Sequence, residues 1–238
     1  MPRYGTINSD YIASWFQRKD PGGPMWALNL MQYREWAEYA DGRETDLTGV
    51  EADDRYAPHE HLAAVGSRII LMAPVVHHLR GDDRRWDRIA IAQYRDRMAM
   101  IEMNSSESFQ ADEQHKDAGM EFTIVMAAFP VEGDPAPPQE SATGTDKLVL
   151  LHVAGDPGAP DLAEGLDATR IGCFWIEDRF IGDHRTFAEA RLDLISPAAA
   201  AELASLEFVH DDSSYAVIAD PTMDEVARSL TDPTRVLF

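Results

Sequence analysis

A single cysteine, Cys173, occurs among the 238 residues, which excludes an internal disulfide. It lies in the apolar run IGCFWI, where a cysteine behaves as a small core residue. Basic residues are also scarce. Lys and Arg number 21 against 42 Asp and Glu, for a formal net charge of −21. That balance argues against nucleic acid or an anionic membrane as partner, because both are held by clustered cations. No apolar run approaches the length of a membrane span. The opening MPRYGTINSDY lacks the apolar stretch of a signal peptide. A soluble, cytoplasmic protein is the expectation. There is no glycine loop for phosphate, no cysteine cluster for zinc and no nucleophile elbow. PGGP at 21–24 and GDPGAP at 155–160 read as turns.

What is present is a chain that alternates strands and helices. Residues 1–24 form an N-terminal extension, in which SDYIASWFQRK is an amphipathic helix capped by Asn8 or Ser9. MWALNLMQY (25–33) is a short, mostly apolar run and predicts a buried strand. REWAEYADGRETDLTG starts helically and becomes a polar loop at DGRE. A helix is expected to begin after Ala57, with Pro58 in its first turn and Gly66 as its stop. SRIILMAPVVHHL is a strand in which Pro74 marks a bulge or an edge. RGDDRRW is a turn, and DRIAIAQYR is its alternating partner strand. NSSESFQADEQHKDAG is a helix capped by Ser105 or Ser106 and ended by Gly119, and MEFTIVMAAFP is the next strand.

Residues 131–146 are rich in Pro, Gly and small polar residues and read as a linker. From Lys147 the order begins again: strand KLVLLHVAG, short helix DLAEGL, strands ATRIGCFWIEDRF and TFAEARLDLI, helix SPAAAAELASLEF, strand SSYAVIADP and closing helix DEVARSL. Local patterns recur in the same order. LNLM at 28–31 matches LHVA at 151–154, SRII at 67–70 matches TRIG at 169–172, and TIVMAAFP at 123–130 matches YAVIADP at 215–221. The reading is an α+β fold of two ferredoxin-like βαββαβ repeats, 25–130 and a degenerate 147–238. One such sheet leaves a face uncovered, and two sheets closing into a barrel with the helices outside cover it.

GPMWALNLMQYREWAEY, LTGVEADDRY, VGSRIIL, WDRIAIAQYRDR and SESFQADEQHKDAG together resemble the domain-of-unknown-function 1330 family over about residues 22–131. The chain departs from that pattern at Arg95, where a proline is common, and in the charged loop 41–54. The resemblance implies a dimeric α/β-barrel fold. It also implies a ligand pocket between the sheet and its helices. Relatives with that fold include cofactor-independent monooxygenases, polyketide cyclases, muconolactone isomerases and haem-binding members. A homodimer is compatible with it.

The candidates for that pocket are Asn29, His59, Arg68, Gln93, Tyr94 and His115. His59 and His115 would exchange a proton near neutral pH. Arg68 or Asn29 would stabilise an enolate or phenolate oxygen. Asn29, Tyr94 and Gln93 would bind substrate. Each has a plainer reading: Asn29 as a satisfied core amide, Arg68 as an ion-pair partner, His59 and His115 as surface groups on helices. His59-x-His61 lacks the helical spacing that puts two metal ligands on one face, so no metal and no cofactor are expected; haem or a metal stand as alternatives. The function expected is a cofactor-independent enzyme for an apolar, aromatic or polyketide-like compound, by proton transfer or oxygenation. The alternative is a non-catalytic ligand-binding or structural barrel. The pocket is expected in 25–130, against an opposing site at His152, Arg170 and Glu189.

Overall fold

The computed structural model describes residues 2–18, 22–56, 58–131 and 138–232. In chain order it has β1 (Thr6–Ile7), α1 (Ser9–Trp15), β2 (Met25–Tyr33), α2 (Gly49–Tyr56), α3 (His59–Ala64), β3 (Arg68–Gly81), β4 (Arg88–Tyr94), α4 (Arg97–Asn104), α5 (Glu107–Gly119) and β5 (Met120–Pro130). There follow β6 (Leu148–Ala154), β7 (Ala168–Gly182), β8 (Glu189–Ile195), α6 (Pro197–Ala204), β9 (Val209–His210), β10 (Ser214–Ala219), β11 (Met223–Asp224) and α7 (Val226–Thr231). Residues 132–137 of the expected linker and 233–238 of the expected second repeat lie outside the described residues. Among the described residues no helix is long and apolar enough to cross a membrane.

Eight strands close into an antiparallel barrel in the order β7-β5-β2-β4-β3-β10-β6-β8, with β8 pairing back onto β7. The two long strands make the closure possible. β3 pairs with β4 through its first half and with β10 through its second. β7 does the same with β8 and then β5. Pro74, which has no N–H to give a ladder, sits where β3 changes partner. The strand order β5-β2-β4-β3 in the first half matches β10-β6-β8-β7 in the second.

Period-two alternation sorts each strand into two faces. Trp26, Leu28 and Leu30 of β2 point into the barrel with Ile89, Ile91, Leu151, Val153, Leu192 and Val217. Full burial of each of these side chains contributes roughly 1.5–3 kcal/mol. Met25 and Ala27 face outward, beneath Leu62, Met103 and Phe109 of the helices. A separate apolar layer, with Leu150, Ile195, Ala199 and Leu203, covers the second half.

Three local expectations are corrected. The segment after β2 does not start as a helix; Arg34 donates its N–H to the Gly119 oxygen and accepts from Gly49, tying the chain to α5. A helix instead begins at Gly49, set by a reciprocal cap in which Thr48 N–H bonds Glu51 Oε2 at 2.8 Å and Glu51 N–H bonds Thr48 Oγ1 at 3.2 Å. The run after Tyr94 folds as an extra helix, α4, capped by Asp96 Oδ1 on Ala99 N–H at 2.7 Å. DLAEGL forms turns, because Asp161 Oδ1 engages the Ala163 N–H and Gly165 takes φ +80°, neither of which continues a helix.

Candidate functional site

A cavity of about 460 Å³ lies outside the barrel, between the outer face of β2 and β4 and the layer α2–α5. That volume suits a small organic ligand. Ala27, Asn29, Ala90, Ala92 and Tyr94 form its floor, and Tyr56, Leu62, Met100, Met103 and Phe109 its apolar roof. His59 also lines it, from the exposed start of α3.

One end of the cavity is polar. Asp53 and Asp54 come from α2, Glu113 and Lys116 from α5, Arg88 from β4 and Tyr4 from the N-terminal segment. Two glycines bring α2 and α5 together. A Cβ on either Gly49 or Gly119 would collide with the backbone carbonyl of the other. Asp53 lies one turn beyond Gly49 and Lys116 one turn before Gly119, so this close crossing sets the carboxylate and the ammonium on one wall.

The hydrogen bonds there are specific. Tyr33 donates its hydroxyl to Asp53 Oδ2 at 2.6 Å. Arg88 Nη1 donates to Asp54 at 2.8 Å and to Asp53 at 3.3 Å. Tyr4 donates to Glu113 Oε1 at 3.2 Å. Lys116 Nζ lies 5.5 Å from the Tyr4 ring centre and 5.3 Å from that of Tyr56. Burial pushes the Lys116 ammonium below its ordinary pKa, while Asp53 and Glu113 pull it back. Burial pushes the Asp53 carboxyl up, against Lys116, Tyr33 and Arg88. Both groups are thus driven toward their neutral forms by the same desolvation. Burial raises the Tyr4, Tyr56 and Tyr94 hydroxyls too, so they remain protonated donors.

Of the six candidates read from the sequence, Asn29, His59 and Tyr94 come together on this cavity. Asn29 Nδ2 donates to the Ala27 oxygen at 2.9 Å, and its Oδ1 accepts no hydrogen bond among the described residues. Arg68 and Gln93 lie apart from the cavity. Arg68 Nε donates to Gln93 Oε1 at 3.0 Å, and Gln93 donates to the Ser229 oxygen of α7 at 3.4 Å. His115 faces away as well, with Nδ1 2.6 Å from the Tyr39 hydroxyl and the Arg43 guanidinium over that tyrosine ring. Burial and the charges of Arg43 and Arg55 lower its pKa.

In the second half, His152 Nε2 is 3.0 Å from Ser214 Oγ, and burial with Arg80 and Arg191 lowers its pKa to about 4. Arg170 is committed to Asp193 at 2.6 Å and Asp161 at 2.7 Å, and Glu189 pairs with Arg191. Among the described residues no three His, Cys, Asp or Glu side chains are grouped as a metal site requires.

Sequence reasoning missed Tyr4, Asp53, Tyr56 and Lys116, and gave Glu113 no role in acid–base chemistry. Part of the signal was available. Phe109, Glu113 and Lys116 follow i, i+4, i+7 spacing, which puts two charges on the apolar stripe of α5.

Barrel and cavity define a class: a closed antiparallel barrel clothed by helices, with a ligand-sized space under one group of them. No family model matches the sequence, and no curated protein matches it. Among solved structures, the methylated RPA0582 protein is 27% identical, with a TM-score of 0.50, over 57% of this chain and 100% of that one. The RPA0582 protein of unknown function from Rhodopseudomonas palustris is 23% identical, with a TM-score of 0.47, over 54% and 98%. A mutant chlorite dismutase from Candidatus Nitrospira defluvii, in complex with cyanide, is 11% identical, with a TM-score of 0.42, over 93% and 98%. Rather more than half of this chain therefore corresponds to the whole of a smaller folded protein.

Proposed function

We propose that the protein is a small-molecule enzyme that works by proton transfer on an apolar, aromatic or polyketide-like carbonyl compound bound in the helix-covered cavity. The observation that carries this reading is the ionisable wall of Asp53, Glu113 and Lys116 at one end of an otherwise apolar space. Apolar walls hold the ligand and leave the few polar groups to orient it. Asn29 Oδ1 and the Tyr94 hydroxyl bind the substrate from the floor, and His59 stands where it enters. Glu113 takes a proton adjacent to the carbonyl. The Lys116 and Tyr56 groups stabilise the oxygen on which charge develops. Arg68, Gln93 and His115 have no part in this reading, since they are engaged away from the cavity.

Deuterium exchange tests it. Acetonaphthone incubated with the protein in deuterium oxide is expected to exchange its methyl protons faster than in buffer, and Glu113→Gln to remove the acceleration. Equal exchange with and without protein, or a Soret band in the purified chain, would overturn the reading.

We also propose that 25–130 and 147–238 are ferredoxin-like repeats joined by 131–146, forming within one chain the barrel that a dimer builds from two. The matching strand orders support it. So does the echo of the Arg68–Gln93 bond in the Arg170–Asp193 bond, at the same place on the equivalent strand pair. In this reading a homodimer is not needed to close the barrel.

A further inference from the structure

We infer that Lys116 is a covalent catalyst, whose Nζ condenses with the carbonyl of the substrate and carries it as an imine. This rests on the proton-transfer reading above and narrows its substrates to apolar aldehydes and ketones.

Four observations lead to it. First, the chain has three lysines against 18 arginines. Ion pairs in the fold are made almost throughout by Arg, as at Arg84, Arg88, Arg170 and Arg185. A lysine occupies the cavity wall, and lysine, unlike arginine, can shed its proton and act as a nucleophile. Second, the Lys116 amine is not committed to an ion pair among the described residues. Among the described residues no carboxylate lies within ion-pairing distance of Nζ, which sits against the Tyr4 and Tyr56 rings. Lys147, by contrast, is paired with Glu140 at 2.7 Å. Third, the polar wall already holds Asp53, Asp54 and Glu113 against Lys116 and Arg88. An acidic ligand would add a further negative charge to a wall with a negative excess, whereas an aldehyde or ketone adds none. Fourth, burial favours the neutral amine of Lys116 and the protonated form of Asp53, which are the forms the addition uses.

The step balances within the site. The Nζ lone pair forms the C–N bond as the carbonyl π pair moves to oxygen. That oxygen takes the Asp53 proton, and nitrogen gives one to Glu113. The hydroxyl then leaves as water with the proton from Glu113, and the nitrogen lone pair closes the protonated imine. The cation so formed acidifies the neighbouring C–H, and Glu113, now a carboxylate again, removes that proton. Glu113 returns a proton to carbon, which restores the protonated imine. Water then adds to the imine carbon, the C–N bond breaks to free the neutral Lys116 amine, and the proton left over returns to Asp53.

The test traps the imine in the full-length chain. The protein is treated with naphthaldehyde and sodium borohydride, and the adduct is located by peptide mass spectrometry. Naphthylmethanol, which has the same shape and no carbonyl, serves as the binding control. The expected result is one reduced adduct on Lys116, none on Lys19 or Lys147, and none in Lys116→Met, which still binds naphthylmethanol and keeps the native circular dichroism spectrum. If both compounds bind and borohydride leaves the mass unchanged, the covalent role is overturned while the proton-transfer site survives. Labelling of Lys147 or Lys19 to the same extent as Lys116 has the same meaning. If neither compound binds, the proposed function falls and the covalent step with it.

Discussion

Arg84, on the turn between β3 and β4, donates to Asp183 on the turn between β7 and β8 at 2.9 Å. The bond is returned: Arg185 donates to Asp82 at 2.6 Å. The two turns read Gly-Asp-x-Arg at 81–84 and 182–185, so each gives its Arg to the other's Asp. This clasp joins the halves of the barrel at one rim.

Asp183→Asn is expected to lower stability by about 2 kcal/mol, since it removes one charge from a partly buried network and leaves the two guanidiniums underpaired. Burial works against this carboxyl, but hydrogen bonds from Arg185 and Arg84 hold it far below the usual carboxylate range. A depressed carboxyl stabilises the fold above its unfolded pKa of about 3.9, and loses that contribution as pH falls further. The gap in urea midpoint between wild type and Asp183→Asn should therefore be constant near neutrality and close in strong acid. A gap that persists there would refute the assignment.

Gly119→Ala is expected to cost about 3 kcal/mol, because the new methyl would have to displace the Gly49 backbone rather than a flexible side chain. Gly49→Ala meets the Arg34 and Gly119 carbonyls in the same way. Urea unfolding measures the loss. Where the variant still folds, α2 and α5 stand further apart, the wall shared by Asp53 and Lys116 is disturbed, and binding of naphthylmethanol should weaken. Wild-type stability in either variant would refute the close crossing.

His152 gives a second pH signature. Its folded pKa of about 4 lies below its unfolded value of about 6.5, so the unfolded chain binds the proton more tightly. The contribution is fully present above about pH 6.5 and is lost as pH falls toward 4, amounting to about 3 kcal/mol at its limit. Other groups titrate as well, so the comparison is with His152→Gln. The wild-type urea midpoint should fall more across this window than that of the variant. Parallel curves would refute a buried neutral His152.

Ala92→Phe should block the cavity from its floor. The ring has open space to enter, so the expected change in stability is within about 1 kcal/mol. Naphthylmethanol binding, followed by tryptophan fluorescence, should be lost. Retained binding would place the ligand elsewhere.

Several parts of this molecule were legible from local pattern. The alternation in DRIAIAQYR separated Ile89, Ile91 and Gln93 from Ala90, Ala92 and Tyr94, and the two sets do face the barrel and the helices. Ser106 and Ser196 cap their helices as read, each accepting from the N–H three residues on. The cap at Thr48 and Glu51 is equally legible as a Thr-x-x-Glu pattern, and it starts the helix that carries Asp53. The sequence puts Arg68, Gln93 and His115 with Asn29 because strand and helix spacing say which face a residue takes, not what lies opposite it.

Sequence alone determined the strands, most helices and the side of each strand that is buried, because these follow from hydrogen-bonding periodicity and caps within a few neighbouring residues. Tertiary structure decided that Asp53 and Lys116 share one cavity wall and that Arg84 meets Asp183. The first depends on how closely Gly49 and Gly119 let two helices cross. The second depends on which strands pair to close the barrel. Both are set by packing between segments far apart in the chain, where backbone approach and burial choose the partner and no local spacing records it.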